Sequence, residues 1–61
     1  MDAKEVLKIL KKNGFKEVSQ KGSHKKLTDG ERVTIVPIHG TKDIPIGTLK
    51  GIEKQSGVKL R

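Results

Sequence analysis

Gln20-Lys21-Gly22-Ser23-His24-Lys25-Lys26-Leu27, running on through Thr28-Asp29-Gly30 into Arg32-Val33-Thr34-Ile35-Val36-Pro37, is the stretch whose reading decides the fold. Gly22 supplies the positive φ that a tight turn needs, so Lys21-Gly22-Ser23 reads as a turn and His24 to Leu27 as the strand that leaves it. A further strand from Arg32 to Val36 is stopped by Pro37, which has no N–H for a ladder. The loop between these strands sets their register, and the register sets which side chains share a face. A two-residue Asp29-Gly30 turn would pair Leu27 with Arg32 and split the apolar residues between the faces. A three-residue loop over Thr28-Asp29-Gly30 pairs Leu27 with Glu31 and Lys25 with Val33 instead. The second arrangement gathers Leu27, Val33 and Ile35 on an inner face and is the register expected. It sends His24, Lys26, Arg32 and Thr34 together to the outer face, a histidine among cations.

Upstream, Asp2 followed by Glu5 has the spacing of a capping box. Ala3, Val6, Leu7 and Leu10 then follow the single-stripe helical pattern, with Ile9 at its edge. Gly14 suits a left-handed cap and Phe15 can fold back on Leu10, so a helix is expected over Ala3 to Asn13. Lys4, Lys8, Lys11 and Lys12 fall on its far side, expected to be a solvated face, with a nucleic-acid-contacting one as the alternative. Phe15 to Gln20 reads as a first strand with Val18 inward. Downstream, Ile38 to Asp43 is a loop carrying His39 and Gly40. Pro45 suits the first turn of a second helix, whose stripe is Ile46, Leu49 and Ile52 and whose end is Gly57, with Val58 packing back. Gly47 and Gly51 weaken that helix intrinsically, so it depends on tertiary packing. The order is α-β-β-β-α, an α+β class with a three-stranded antiparallel sheet and both helices on one face.

Sixty-one residues suit a single domain over 1–61, since a chain of this size buries only about 60% of its extended surface. There is no cysteine, which excludes disulfides and thiolate metal sites and fits a cytoplasmic protein. No run approaches the roughly 20 apolar residues of a membrane span, and Met1-Asp2 does not open a signal peptide. Fourteen Lys and Arg stand against seven Asp and Glu, a net charge of +7. That balance points to a polyanionic partner, nucleic acid first.

Candidate chemistry is sparse in such a chain, which has two histidines and neither tyrosine nor tryptophan. His24, set among lysines, is either a catalytic imidazole on a phosphate-binding surface or an ordinary surface histidine at a strand start; the residues alone weigh these equally. A Ser23–His24 dyad fails because adjacent strand residues point to opposite faces. Zinc is disfavoured with two histidines and no cysteine, so no cofactor or metal is expected. His39 is read as a second acid–base group, an RNA contact or a loop histidine that ties down backbone.

Several motifs taken together resemble one family. These are Gly22-Ser23-His24 opening the second strand, Asn13-Gly14-Phe15 after the first helix, Val36-Pro37-Ile38-His39-Gly40, and Ile44-Pro45-Ile46-Gly47-Thr48-Leu49 leading into a helix that ends Gln55-Ser56-Gly57. In this order, over nearly the whole chain, they are similar to HicA proteins, the toxins of HicA–HicB toxin–antitoxin pairs. The resemblance implies a fold like that of double-stranded-RNA-binding domains, an mRNA interferase activity, a HicB-type antitoxin partner, and His24 as the catalytic residue. Lys25 and Lys26 are more basic than is usual in that family, and Ser56 stands where alanine is common. RNA carries its own nucleophile, the 2′-OH, so an imidazole that moves protons and cations that stabilise the phosphorane suffice without a metal. Lys21, Ser23, Lys25, Lys26, Arg32 and His39 are the candidate RNA contacts. The alternative is a non-catalytic RNA-binding module that uses the same face.

Overall fold

The computed structural model describes residues 1–40 and 42–60; Thr41, within the loop expected over 38–43, and Arg61 lie outside the described residues. The chain runs α1 (Ala3–Lys12), β1 (Lys16–Lys21), β2 (His24–Thr28), β3 (Val33–Pro37), α2 (Ile46–Ser56). The three strands form one antiparallel sheet in the order β1-β2-β3. This is the expected α-β-β-β-α order.

Local chemistry accounts for α1. The Asp2 carboxylate accepts from the Glu5 N–H at 2.9 Å, and the Asp2 N–H donates to the Glu5 carboxylate at 3.4 Å, so two otherwise orphaned donors are satisfied. At the other end Phe15 N–H bonds to Leu10 C=O at 3.0 Å and Gly14 N–H to Lys11 C=O at 3.2 Å. These are the two bonds of a Schellman ending, with Gly14 at φ 87°. Asn13 is the cap rather than the last helical residue, and its side-chain amide donates back to Ile9 C=O at 2.9 Å.

Both helices cover the same face of the sheet. Ala3, Val6 and Leu10 of α1, Leu49 and Ile52 of α2, Leu27 of β2 and Val36 of β3 are buried in one cluster with Phe15, Ile44 and Leu60. Each fully buried aliphatic side chain contributes about 1.5–3 kcal/mol relative to exposure. Three members of this core, Phe15, Ile44 and Leu60, come from chain outside the regular elements. Ile44 is held by its N–H on Met1 C=O at 2.8 Å, beside a bridge between Asp2 and Asp43. Leu60 is held by its N–H on the Glu53 carboxylate at 2.8 Å.

The β2–β3 register differs from the one expected. Thr28 pairs with Val33 and Leu27 with Thr34, which leaves a four-residue loop over 29–32. Side chains build that loop: the Asp29 carboxylate accepts from the N–H groups of Glu31 at 2.9 Å and Arg32 at 2.7 Å. Thr28 Oγ1 accepts from Gly30 N–H at 3.0 Å and donates to Arg32 C=O at 2.7 Å. These backbone donors, Arg32 first, hold the Asp29 carboxyl below its ordinary range. The inner face of β3 is therefore Thr34 and Val36, both buried, while Val33 and Ile35 are exposed on the outer face. Thr34 is satisfied in the interior because its hydroxyl donates to Gln55 Oε1 of α2 at 2.9 Å.

Two further expectations are corrected. Val18 is 53% exposed, because the β1–β2 pairing skips it at a bulge between Glu17 and Ser19. Ile46 is 59% exposed, because Pro45 sits at the cap and α2 turns Leu49, Ile52 and Ser56 inward instead. Ser56 is buried without penalty, its hydroxyl donating to Ile52 C=O at 2.7 Å and accepting from Val58 N–H at 3.1 Å. Gly57, at φ 73°, ends the helix as expected.

Candidate functional site

The site grows out of the first hairpin. Lys21 pairs with His24 across the two-residue Gly22-Ser23 turn, with Gly22 at φ 59°, so the histidine opens β2 beside a β1 lysine. On its other side His24 is opposite Pro37 of β3, and Lys26 is opposite Ile35. Ser23 C=O accepts from Ile38 N–H at 2.6 Å, which ties the turn before His24 to the segment after β3. Leu27 is buried on the helix side, so strand alternation sends both His24 and Lys26 to the open side. That placement agrees with the sequence reading.

Two grooves meet at His24. The first, about 510 Å³, is lined by Ser19, Lys21, His24, Lys26 and Ile35 and carries two lysines and no carboxylate. The second, about 620 Å³, shares His24 and Ile35 and extends over Pro37 to His39, Lys42 and Asp43 and to the start of α2 at Pro45 and Thr48. His24 and Ile35 form the ridge between them. Neither imidazole hydrogen-bonds to another described residue. The bond that closes the loop at His39 uses its backbone carbonyl, which accepts from Lys42 N–H at 3.3 Å. Among the described residues, no group of three or more His, Cys, Asp or Glu is arranged to hold a metal ion, and no helix is long and apolar enough to cross a membrane.

With that geometry in view, the relatives are informative. A family model described as "HicA toxin of bacterial toxin-antitoxin" matches residues 3–58. The chain belongs to the HicA toxin family. It is also 37% identical over 59 residues to a protein of Pseudomonas fluorescens (strain Pf0-1) named "Probable mRNA interferase HicA", with 97% of this chain and 98% of that protein covered. The family match takes in both grooves of this HicA chain, from Ser19 to Thr48.

Not every candidate contact lies on this HicA chain's open face. Lys25 points to the helix side, where its amine is 2.8 Å from Glu17; the other carboxylate oxygen of Glu17 is 2.6 Å from Lys11 of α1. The hydrogen bonds from Lys11 and Lys25 lower the Glu17 pKa from 4.5 to about 2. Lys11 is therefore engaged, whereas the sequence reading left it free in solvent. Arg32 was expected beside His24, but the changed register leaves it in the β2–β3 loop. A Cβ added at Gly57 would fall 2.8 Å from Arg32 Nη1, so the guanidinium lies against the C-terminal end of α2, where a cation is favoured. Thr34, also expected outside, is buried. Ser23 is exposed in the turn and lines neither groove.

Sequence reasoning missed Ser19, Ile35 and Lys42. The bulge at Val18 is what brings Ser19 opposite Lys26. Ile35 came outward with the register. Lys42 had no local signal, because its segment is positioned by the bonds of residues 43–44 to the first two residues of the chain.

Proposed function

We propose that this chain is the toxin of a toxin–antitoxin pair and an endoribonuclease, with His24 as the catalytic group and no metal in the reaction. The observation that carries this is the position of His24: exposed, bonded to no other described residue, and on the ridge shared by two grooves, one lined by Lys21 and Lys26 with no carboxylate among its described residues. An RNA strand laid across the ridge brings a 2′-OH to the imidazole, which removes its proton as the oxygen attacks the adjacent phosphorus. Lys21 and Lys26 supply positive charge where the phosphorane develops it, in a site that need not reorganise to do so. DNA has no 2′-OH and is not cut by this route. Ile35 and Pro37 give the ridge an apolar floor for ribose or base, while the chain has no Trp or Tyr for strong base stacking. Base preference is therefore weak.

His24→Ala should lower cleavage of single-stranded RNA by about 10²–10⁴-fold. Its melting temperature should stay close to wild type, because an exposed strand side chain contributes little to packing. Cleavage by wild type should survive EDTA and leave 2′,3′-cyclic phosphate ends. Unchanged cleavage in the variant removes His24 from the chemistry and leaves an RNA-binding module. A requirement for added Mg²⁺ moves the chemistry to carboxylates.

A HicB-type antitoxin is the partner, and it acts by covering the ridge. An acidic surface would compete with RNA for Lys21 and Lys26 and associate quickly at low salt. Lys26→Glu should slow that association, whereas Lys8→Glu, on the exposed side of α1, should not.

A further inference from the structure

We propose that His39 is the general acid of the cleavage reaction, the partner to His24 as base; this rests on the reading of His24 just given. The chemistry of RNA transesterification asks for two proton transfers at separated atoms. One proton leaves the attacking 2′-OH, and another must reach the departing 5′-oxygen, which lies roughly in line on the far side of the phosphorus. A single imidazole beside the 2′-OH serves the first of these atoms and is badly placed for the second.

The larger groove supplies a second imidazole. His24 and His39 both line it, joined by the apolar surface of Ile35 and Pro37, with Lys42 beside them. The juxtaposition is built in, because Ile38 N–H on Ser23 C=O at 2.6 Å couples the residue before His24 to the residue before His39. His39 is exposed and its imidazole bonds to no other described residue, so it is not the anchor of its loop. That work is done by its backbone carbonyl on Lys42 N–H. An imidazole that bonds to no other described residue is suited to acid–base chemistry, the commonest catalytic use of histidine.

The step balances. Neutral His24 takes the 2′-OH proton as the 2′-oxygen forms its bond to phosphorus, and the P–O5′ bond breaks as protonated His39 gives its proton to the 5′-oxygen. The products are a 2′,3′-cyclic phosphate and a free 5′-OH, and the two imidazoles return to their starting states by exchange with water. The leaving nucleoside then occupies the His39 groove. The upstream nucleotides lie in the lysine groove.

The test uses two RNA oligonucleotides with one cleavable linkage each, one normal and one with sulfur in place of the bridging 5′-oxygen. A thiolate leaves without being protonated, so the sulfur linkage needs the base and not the acid. His39→Ala, with His39→Gln in parallel, should slow the oxygen substrate by about 10²-fold or more and leave the sulfur substrate nearly at the wild-type rate. His24→Ala should be slow on both. Equal slowing of both substrates by the His39 variants, or of neither, overturns the assignment. Fast cleavage of both substrates by His24→Ala overturns the base instead, and this outcome is separate because the oxygen-to-sulfur ratio is read within the His39 variants alone.

Discussion

Lys25 and Lys26 are neighbours in one strand and do unrelated work. Lys25 turns to the helix side, where with Lys11 it grips Glu17 between β1 and α1. Lys26 turns to the open side, opposite Ile35, and lines a groove with Lys21 and His24. The same split holds along β3, where Thr34 and Val36 are fully buried while Val33 and Ile35 stand in solvent. One face of the sheet is committed to holding the molecule together and the other is left free to act. The alternation of a strand is enough to divide them.

The largest expected effect comes from breaking the committed face. Leu27→Ala, at a site with 0% exposure, should cost about 2–5 kcal/mol. A chain of this length has a total of only about 3–9 kcal/mol at ordinary per-residue stability, so much of the population should unfold in denaturant titrations. A sharper comparison lies within β3. Val36→Thr puts a hydroxyl into the core and should cost about 1–3 kcal/mol, whereas Ile35→Thr on the open face should stay within about 0.5 kcal/mol of wild type. The reverse ranking would mean that β3 takes the register with Val33 and Ile35 inside.

That register was the one the sequence favoured, and its failure is physical. Counting apolar residues puts Val33 and Ile35 in the core, but the loop is built by Thr28 and Asp29 side chains on backbone groups up to four residues away, and these fix a four-residue connection. The buried Thr34 that results is acceptable because of Gln55, 21 residues further on. A non-local partner of this kind leaves no trace in local periodicity. By contrast, α1 and the Lys21–His24 hairpin were legible because their determinants are local: the Asp2–Glu5 box, the Gly14–Phe15 ending, the positive φ at Gly22. His24 and Lys26 were placed correctly for a related reason, since β2's own alternation around Leu27 orients them whatever β3 does. Arg32 was misplaced because its facing was inferred from the register. His39 was visible as a residue, but its meeting with His24 depends on long-range bonds between the segment after β3 and the rest of the chain.

On the open face the expected effects are smaller and electrostatic. Lys26→Ala should weaken RNA binding similarly across sequences and lower the slope of log affinity against log salt by about 0.7, the share of one phosphate contact on a single strand. Lys25→Ala should leave that slope unchanged, because its amine already serves Glu17. A salt slope that falls equally in both variants would show that Lys25 leaves Glu17 to meet RNA.

The smallest effect isolates what Lys25 does in place of binding. With its pKa lowered from 4.5 to about 2, Glu17 is ionised in the folded protein at pH values where the unfolded chain has already taken up a proton. Its contribution is therefore fully present above about pH 4.5 and is lost as the pH falls toward 2. Lys25→Ala removes one of the two amines and should move that loss to higher pH, while Glu17→Gln should abolish it. Melting temperatures recorded across this window should fall least steeply for Glu17→Gln. For Lys25→Ala the fall should begin nearer pH 4.5 than in wild type. Lys26→Ala should reproduce the wild-type profile, because no carboxylate lines its groove. If Lys26→Ala shifts the acid limb as Lys25→Ala does, the division of labour between the two lysines is wrong, whatever the RNA-binding data show.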